Sequence, residues 1–248
     1  MITALLLLAC TGKSDDTGSA NDSDTSAVDA VCEEPTDVPC VDEMILDLSL
    51  HDDKVSDADV ANTTDGADFL TTVDASAGGM SNASDNPWVY IKFTADGAVR
   101  VDIDDESALE SMDWDMALRR FILRLNGGDS GPSCVGAAVM GDGYTYEDLA
   151  EVPEGITFAM DDYYTDDCTI VNDSSGLPGS PQVVMGPWWG YENCLTTTGQ
   201  PFLIQQADGS VLKLRVEAYY GGDGQEECNS TGTTNEEGGY FTFRWAFL

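Results

Sequence analysis

Histidine is nearly absent from this chain, which carries one, His51, among 248 residues. A site that needs two imidazoles is therefore excluded within one copy of the protein. Positive charge is almost as scarce. Ten Lys and Arg face 46 Asp and Glu, for a formal net charge of −36. Such a chain repels phosphate backbones, so nucleic acid is excluded as a partner, and no basic patch is expected for an anionic lipid surface. The same acidity suits the solubility of an exported protein. Seven cysteines occur without a single Cys-x-x-Cys pair, which argues against a structural zinc site. No nucleophile motif, Gly-rich phosphate loop or histidine set as a base beside a serine is present, so an enzyme is not expected. Paired carboxylates are too numerous for any one pair to mark a glycosidase.

Long apolar runs are missing too. Ile2 to Ala9 (ITALLLLA) has eight residues, too short to cross a bilayer as a helix. It suits the apolar core of a secretory signal. It ends in Leu7-Leu8-Ala9-Cys10, which looks like a bacterial lipobox with Cys10 as the acylated residue. No Lys or Arg precedes the run, which leaves a start upstream of Met1 open. Thr11 to Ala30 is Asp, Ser, Thr, Gly, Ala and Asn with one Lys and one Val. It cannot bury enough apolar surface to offset its chain entropy and reads as a disordered tether. A flexible coil of that length reaches on the order of 25 Å. Thr11, rather than Asp, after the cysteine resembles lipoproteins transferred to the outer membrane. The expected organisation is a signal over residues 1–10, an acidic disordered tether over 11–40 and one folded domain over 41–248. The expected location is the outer membrane, with the lipid as the only membrane contact.

With Cys10 set aside, Cys32, Cys40, Cys134, Cys168, Cys194 and Cys228 form an even set, as disulfides in an oxidising compartment require. Six cysteines allow 15 pairings. The short loop around Pro35 and Pro39 suggests Cys32 with Cys40, and the other four paired among themselves.

Strand patterns dominate the rest, and the expected class is all-β. In Trp114 to Met140, Phe121, Leu123 and Leu125 alternate with Arg120, Ile122 and Arg124, which predicts a strand with one dry and one mostly wet face. Asn126-Gly127-Gly128 predicts a turn, and Val135, Ala137 and Val139 a returning strand. Met44 to Leu50 alternates as a first strand, with His51 a solvated residue at its end. Residues 52–85 read as loop. Trp88 to Phe93, a turn at Asp96-Gly97, and Val99 to Ile103 predict a hairpin. Ser107 to Met112 reads as a short helical link, and Tyr144 to Ala150 as a helical turn or two. Trp188-Trp189-Gly190-Tyr191 concentrates aromatic residues. Phe202 to Gln205, the turn Asp208-Gly209 and Leu212, Leu214 and Val216 form a second hairpin. Phe241, Phe243, Trp245 and Phe247 share one face of the final strand, and Gly221 to Gly239 is a loop holding Cys228.

Three of these segments resemble the HmuY family of bacterial haem-binding lipoproteins. They are the Trp88 to Ile103 hairpin, Trp114-Asp115-Met116-Ala117 with Asn126-Gly127-Gly128, and the closing strands with Lys213 to Val216, Tyr219-Tyr220 and Tyr240 to Arg244. The resemblance covers about residues 85–248 and is weakest in the middle third. It implies an antiparallel β domain, outer-membrane attachment, and haem held in a cleft of strand-end loops, with an outer-membrane receptor as a partner. Relatives ligate haem iron through two side chains, histidine in some and methionine in others. With one imidazole available, thioether sulfur is the next sensible donor, being soft and suited to reduced iron. Met140, Met160 and Met185 lie where the ligand loops are expected, and Met160 and Met185 sit in apolar runs beside aromatics. The competing reading is that all three fill core gaps, as methionine commonly does. Arg119 or Arg120 would face the anionic propionates. The alternative ligand is calcium, a glycan or a protein, with Asp102 to Glu106 and Asp161-Asp162 offering oxygen donors without a calcium-loop spacing.

Overall fold

The computed structural model describes residues 32–177 and 179–248. The signal, Cys10 and the tether as far as residue 31 lie outside the described residues. Helix α1 (Val41–Asp47) precedes the hairpin β1 (Val60–Asp65) and β2 (Asp68–Asp74), the hairpin β3 (Val89–Thr94) and β4 (Gly97–Val101), and the short helix α2 (Asp105–Ala108). Strands β5 (Met116–Arg119), β6 (Ile122–Leu125) and β7 (Gly136–Val139) follow. A long irregular stretch leads to the small pair β8 (Trp189–Tyr191) and β9 (Leu195–Thr197). Strands β10 (Pro201–Gln205) and β11 (Val211–Tyr220), helix α3 (Gly224–Thr231) and β12 (Gly238–Phe247) close the chain.

The class is all-β. A six-stranded sheet runs β1-β2-β12-β11-β10-β7 and a four-stranded sheet β4-β3-β5-β6, with antiparallel pairing between these strands. Alternation explains the larger sheet: Leu212, Leu214 and Val216 of β11 and Phe241, Phe243 and Trp245 of β12 are buried in the main core. On the outer face, Arg244 meets Asp65, Asp68 and Glu217, and Arg215 meets Glu147 and Glu217. The smaller sheet is covered on both sides. Ile91, Phe93, Met116, Leu118 and Leu123 face the main core, while Trp88, Tyr90, Trp114 and Ala117 pack with α1 and α2. Burial on both faces is why Val89, Tyr90 and Ile91 run together as apolar residues rather than alternating with polar ones.

Five sequence expectations are corrected. Residues 41–47 are helical, not a strand. Met44 and Leu48 stand one turn apart and are both buried in the second core, and Asp42 and Glu43 favour the helix N-terminus. The alternating run 120–125 contains a turn: Arg119 pairs with Ile122, and Arg120 carries a positive φ of 51°. On its supposed wet face Arg124 is fully buried, while Arg120 and Ile122 are half-buried. After Gly127-Gly128 the chain does return, but β7 pairs with β10 in the other sheet rather than with β6. Residues 60–74, read as loop, form the β1–β2 hairpin; β1 is an exposed edge strand and so shows no apolar alternation. Within the Gly221–Gly239 loop stands α3, with Cys228 on its buried side.

The disulfides join Cys32 to Cys134, Cys40 to Cys168 and Cys194 to Cys228, so Cys32 and Cys40 are not partners. The reason is that residues 32–40 are laid along the body. The Cys32 amide donates to the Ala207 carbonyl at 3.3 Å and the Thr36 amide to Pro132 at 2.8 Å, which turns each cysteine toward a different body loop. By composition this stretch belongs with the tether; by contact it belongs with the domain.

Candidate functional site

The irregular stretch after β7 builds a cleft of about 930 Å³ that carries aromatic residues. One wall is the segment around Met160. Ala159 exchanges both main-chain hydrogen bonds with Ala137 of β7, at 2.8 and 2.9 Å, which lays the segment along the sheet edge. It then crosses Gly127 and Gly128. A Cβ on Gly127 would stand 2.4 Å from the Val135 carbonyl oxygen and 3.2 Å from the Met160 sulfur, so glycine is what lets the thioether rest on the backbone. Two buried carboxylates hold this crossing. Asp161 accepts from the Leu125 amide at 2.9 Å, the Ser130 hydroxyl at 2.7 Å and the Val184 amide at 2.8 Å. Asp129 accepts from the amides of Tyr163 and Tyr164. Burial raises the Asp161 carboxyl above the ordinary carboxylate range, against the pull of those hydrogen bonds and of Arg124.

The facing wall is residues 183–191. Trp188 is its anchor, buried among Tyr219 and Phe241 and donating its indole N–H to the Phe121 carbonyl at 3.1 Å. That places Trp189, in edge contact with Phe121 at 5.3 Å, and Tyr191, 54% exposed, on the cleft. Val139, Val184 and Pro187 add apolar lining, and Asp162, Asp173 and Gln182 stand among the polar residues.

The sequence candidates separate here. Met160 is 45% exposed and lines the cleft. Met185 is fully buried in the main core, and Met140 is buried in a third cluster with Leu149 and Leu203. The structure therefore brings one of the three to the cleft. Arg119 and Arg120 do not line it either. Arg119 donates to the Leu48, Ser49 and Asn86 carbonyls and lies over the Trp88 ring, and Arg120 donates to Gly238 and Ser76. His51 is half-buried, with its ring Nε2 3.0 Å from the Ser84 carbonyl oxygen. Within the acidic stretches considered for calcium, Asp104 accepts the Ser107 amide and Asp105 the His51 and Trp88 amides, and Asp102 pairs with Arg100. Among the described residues no group of three or more His, Cys, Asp and Glu could hold a metal ion. Sequence reasoning named Asp161 only as an oxygen donor for calcium and Gly127 only as a turn residue, and did not reach Asp129, because their roles depend on which segments cross.

A family model described as HmuY protein matches residues 84–245. The chain belongs to the HmuY family. No curated protein matches it. Among solved structures, a HmuY-like protein of Bacteroides vulgatus described as a candidate haem binder is 17% identical, with 75% of this chain and 95% of that one covered and a TM-score of 0.43. A candidate lipoprotein of Bacteroides fragilis is 18% identical over 74% of this chain and 90% of its own, at 0.40. The apo HmuY analogue of Tannerella forsythia is 15% identical over 79% and 99%, also at 0.40. Scores at this level carry no argument about a ligand.

Haem is the group the HmuY family implies. The cleft's chemistry fits the ring and a single iron donor: Met160 offers a soft thioether on one wall, and Trp189 and Tyr191 offer flat apolar faces on the other. No histidine and no second methionine lines this cleft, and no Lys or Arg does.

Proposed function

We propose that this HmuY-family chain is an exported lipoprotein that binds haem in the cleft between Met160 and Trp189, for haem or iron acquisition. The observation that carries the reading is Met160, partly exposed and lining the cleft opposite Trp189 and Tyr191, while Met140 and Met185 are sealed in the core. Met160 would supply a thioether sulfur to the iron, and Trp189 and Tyr191 would cover the ring. The remaining chemistry of the ligand is the haem's own. The protein's part is to hold the ring, keep it from water on the buried side and present it to an outer-membrane receptor. The Cys10 acyl group would tether the domain to the outer membrane, with membrane contact through that anchor only.

The test is a spectroscopic titration with haem, first oxidised and then reduced. A Soret shift that strengthens on reduction is expected, because thioether sulfur favours ferrous iron. Met160→Ala should abolish it, and Met185→Leu, a volume-conserving change in the core, should leave it intact. Identical spectra for the wild type and Met160→Ala would remove Met160 as the ligand. Cys10→Ser should move the protein from the membrane fraction to the soluble one.

A further inference from the structure

We propose that the cleft also selects its ligand by charge, taking a flat ring whose peripheral groups are neutral in preference to one that brings free carboxylates into it. This inference rests on the cleft being the ligand site. Nine of the ten Lys and Arg lie among the described residues, Lys13 being the tenth, and none of the nine lines the cleft. The scaffold uses them elsewhere. Carboxylates hold Arg100, Arg215 and Arg244, and main-chain carbonyls hold Lys54, Arg119 and Arg120.

The charges that do line the cleft are negative. Asp162 is exposed on the Met160 wall. Asp173 is half-buried and cannot swing away, because one carboxylate oxygen accepts the Ser175 amide at 3.0 Å and the other the Ser180 hydroxyl at 2.5 Å. A ligand carboxylate entering the cleft would lose water and gain no counter-charge, while meeting two like charges within a chain of net charge −36. A free porphyrin dicarboxylate can avoid this only by turning both acids outward, whereas an esterified ring is free in orientation. Asp162 and Asp173 are thus the specificity-determining residues of this site.

The experiment compares two rings that differ only in those acids: iron(III) protoporphyrin IX and its dimethyl ester, in the same mixed solvent. Binding to the full chain is followed by quenching of tryptophan fluorescence at low and at high salt. The ester is expected to bind about tenfold more tightly at low salt, with the gap narrowing as salt is added. Asp162→Asn with Asp173→Asn should bring the two rings to about the same affinity. Asp162→Asn alone, at an exposed position, should give a smaller change of the same sign. Equal binding of the two rings to the wild type, or a preference that survives both substitutions, would overturn the charge selection and leave the ligand site standing. Quenching by neither ring would remove the site, and this inference with it.

Discussion

The Asp161 carboxylate accepts the Leu125 amide at 2.9 Å and, through its other oxygen, the Val184 amide at 2.8 Å, so that one buried side chain joins β6 to both walls of the cleft. The Ser130 hydroxyl also donates to it, and the buried Arg124 guanidinium supplies opposite charge. Replacement by alanine would strand two main-chain donors and leave Arg124 with less compensation. Asp161→Ala is expected to cost about 3–5 kcal/mol in unfolding free energy. A urea midpoint within error of wild type would show that the crossing is held by other contacts.

How much of this arrangement can be read from the sequence depends on whether one face or two are buried. Strand β12 is legible because Phe241, Phe243 and Trp245 alternate with Tyr240, Thr242 and Arg244, which are exposed or half-buried. Helix α1 is not, because Met44, Ile45 and Leu46 run together and only the packing shows Leu46 to be exposed. The β5–β6 turn is hidden for another reason: Arg120 takes a positive φ where a Gly or Asn would have signalled it. In the cleft, Met160 is nameable as a candidate ligand but not separable from Met185, since depth alone divides the three methionines. Asp161 can be named among 46 acidic residues only as an oxygen donor, and its bridging role is hidden until its neighbours are known.

Asp115 makes stability depend on pH. Its carboxylate accepts the Phe93 amide at 2.8 Å and the Gln206 side-chain amide at 2.7 Å, yet burial pushes it up to about 6 from 3.8. A carboxyl whose value is raised in the folded state holds its proton more tightly there. Its contribution is fully present below pH 3.8 and is lost as pH rises through about 6. Relative to Asp115→Asn, the wild type should therefore gain about 2–3 kcal/mol between pH 7 and pH 4. The comparison cancels the general relief of self-repulsion on acidification, which both proteins share. Parallel curves for the two proteins in thermal melts across that range would exclude Asp115 as the titrating group.

The disulfides differ in what they constrain. Cys32–Cys134 and Cys40–Cys168 close loops of sequence separation 102 and 128, against 34 for Cys194–Cys228. Loop closure predicts a loss of about 4.7 kcal/mol for the longer ones and about 3.8 for the shorter. Removing Cys194 and Cys228 together should therefore be the mildest of the three double substitutions to alanine. Mass spectrometry of unreduced digests should find Cys32 joined to Cys134, and a peptide linking Cys32 to Cys40 would contradict the fold of residues 32–40.

Gly128 is the position where the Met160 segment allows least. It holds a φ of +63°, and a Cβ there would stand 2.1 Å from the Asp161 carbonyl oxygen. Both facts forbid a side chain: the conformation disfavours one, and the nearest atom is backbone rather than a movable side chain. That carbonyl also accepts the Asp129 amide at 2.8 Å, so the segment cannot retreat without losing a hydrogen bond. Gly128→Ala is expected to cost at least about 2 kcal/mol and to displace the Met160 wall, whereas Gly141→Ala, with nothing within 4 Å of the added carbon, should be close to neutral. Denaturant midpoints check the stability. Ring binding checks the displacement: Gly128→Ala should weaken it even at temperatures where the variant remains folded, and unchanged affinity there would detach the Gly128 crossing from the ligand site.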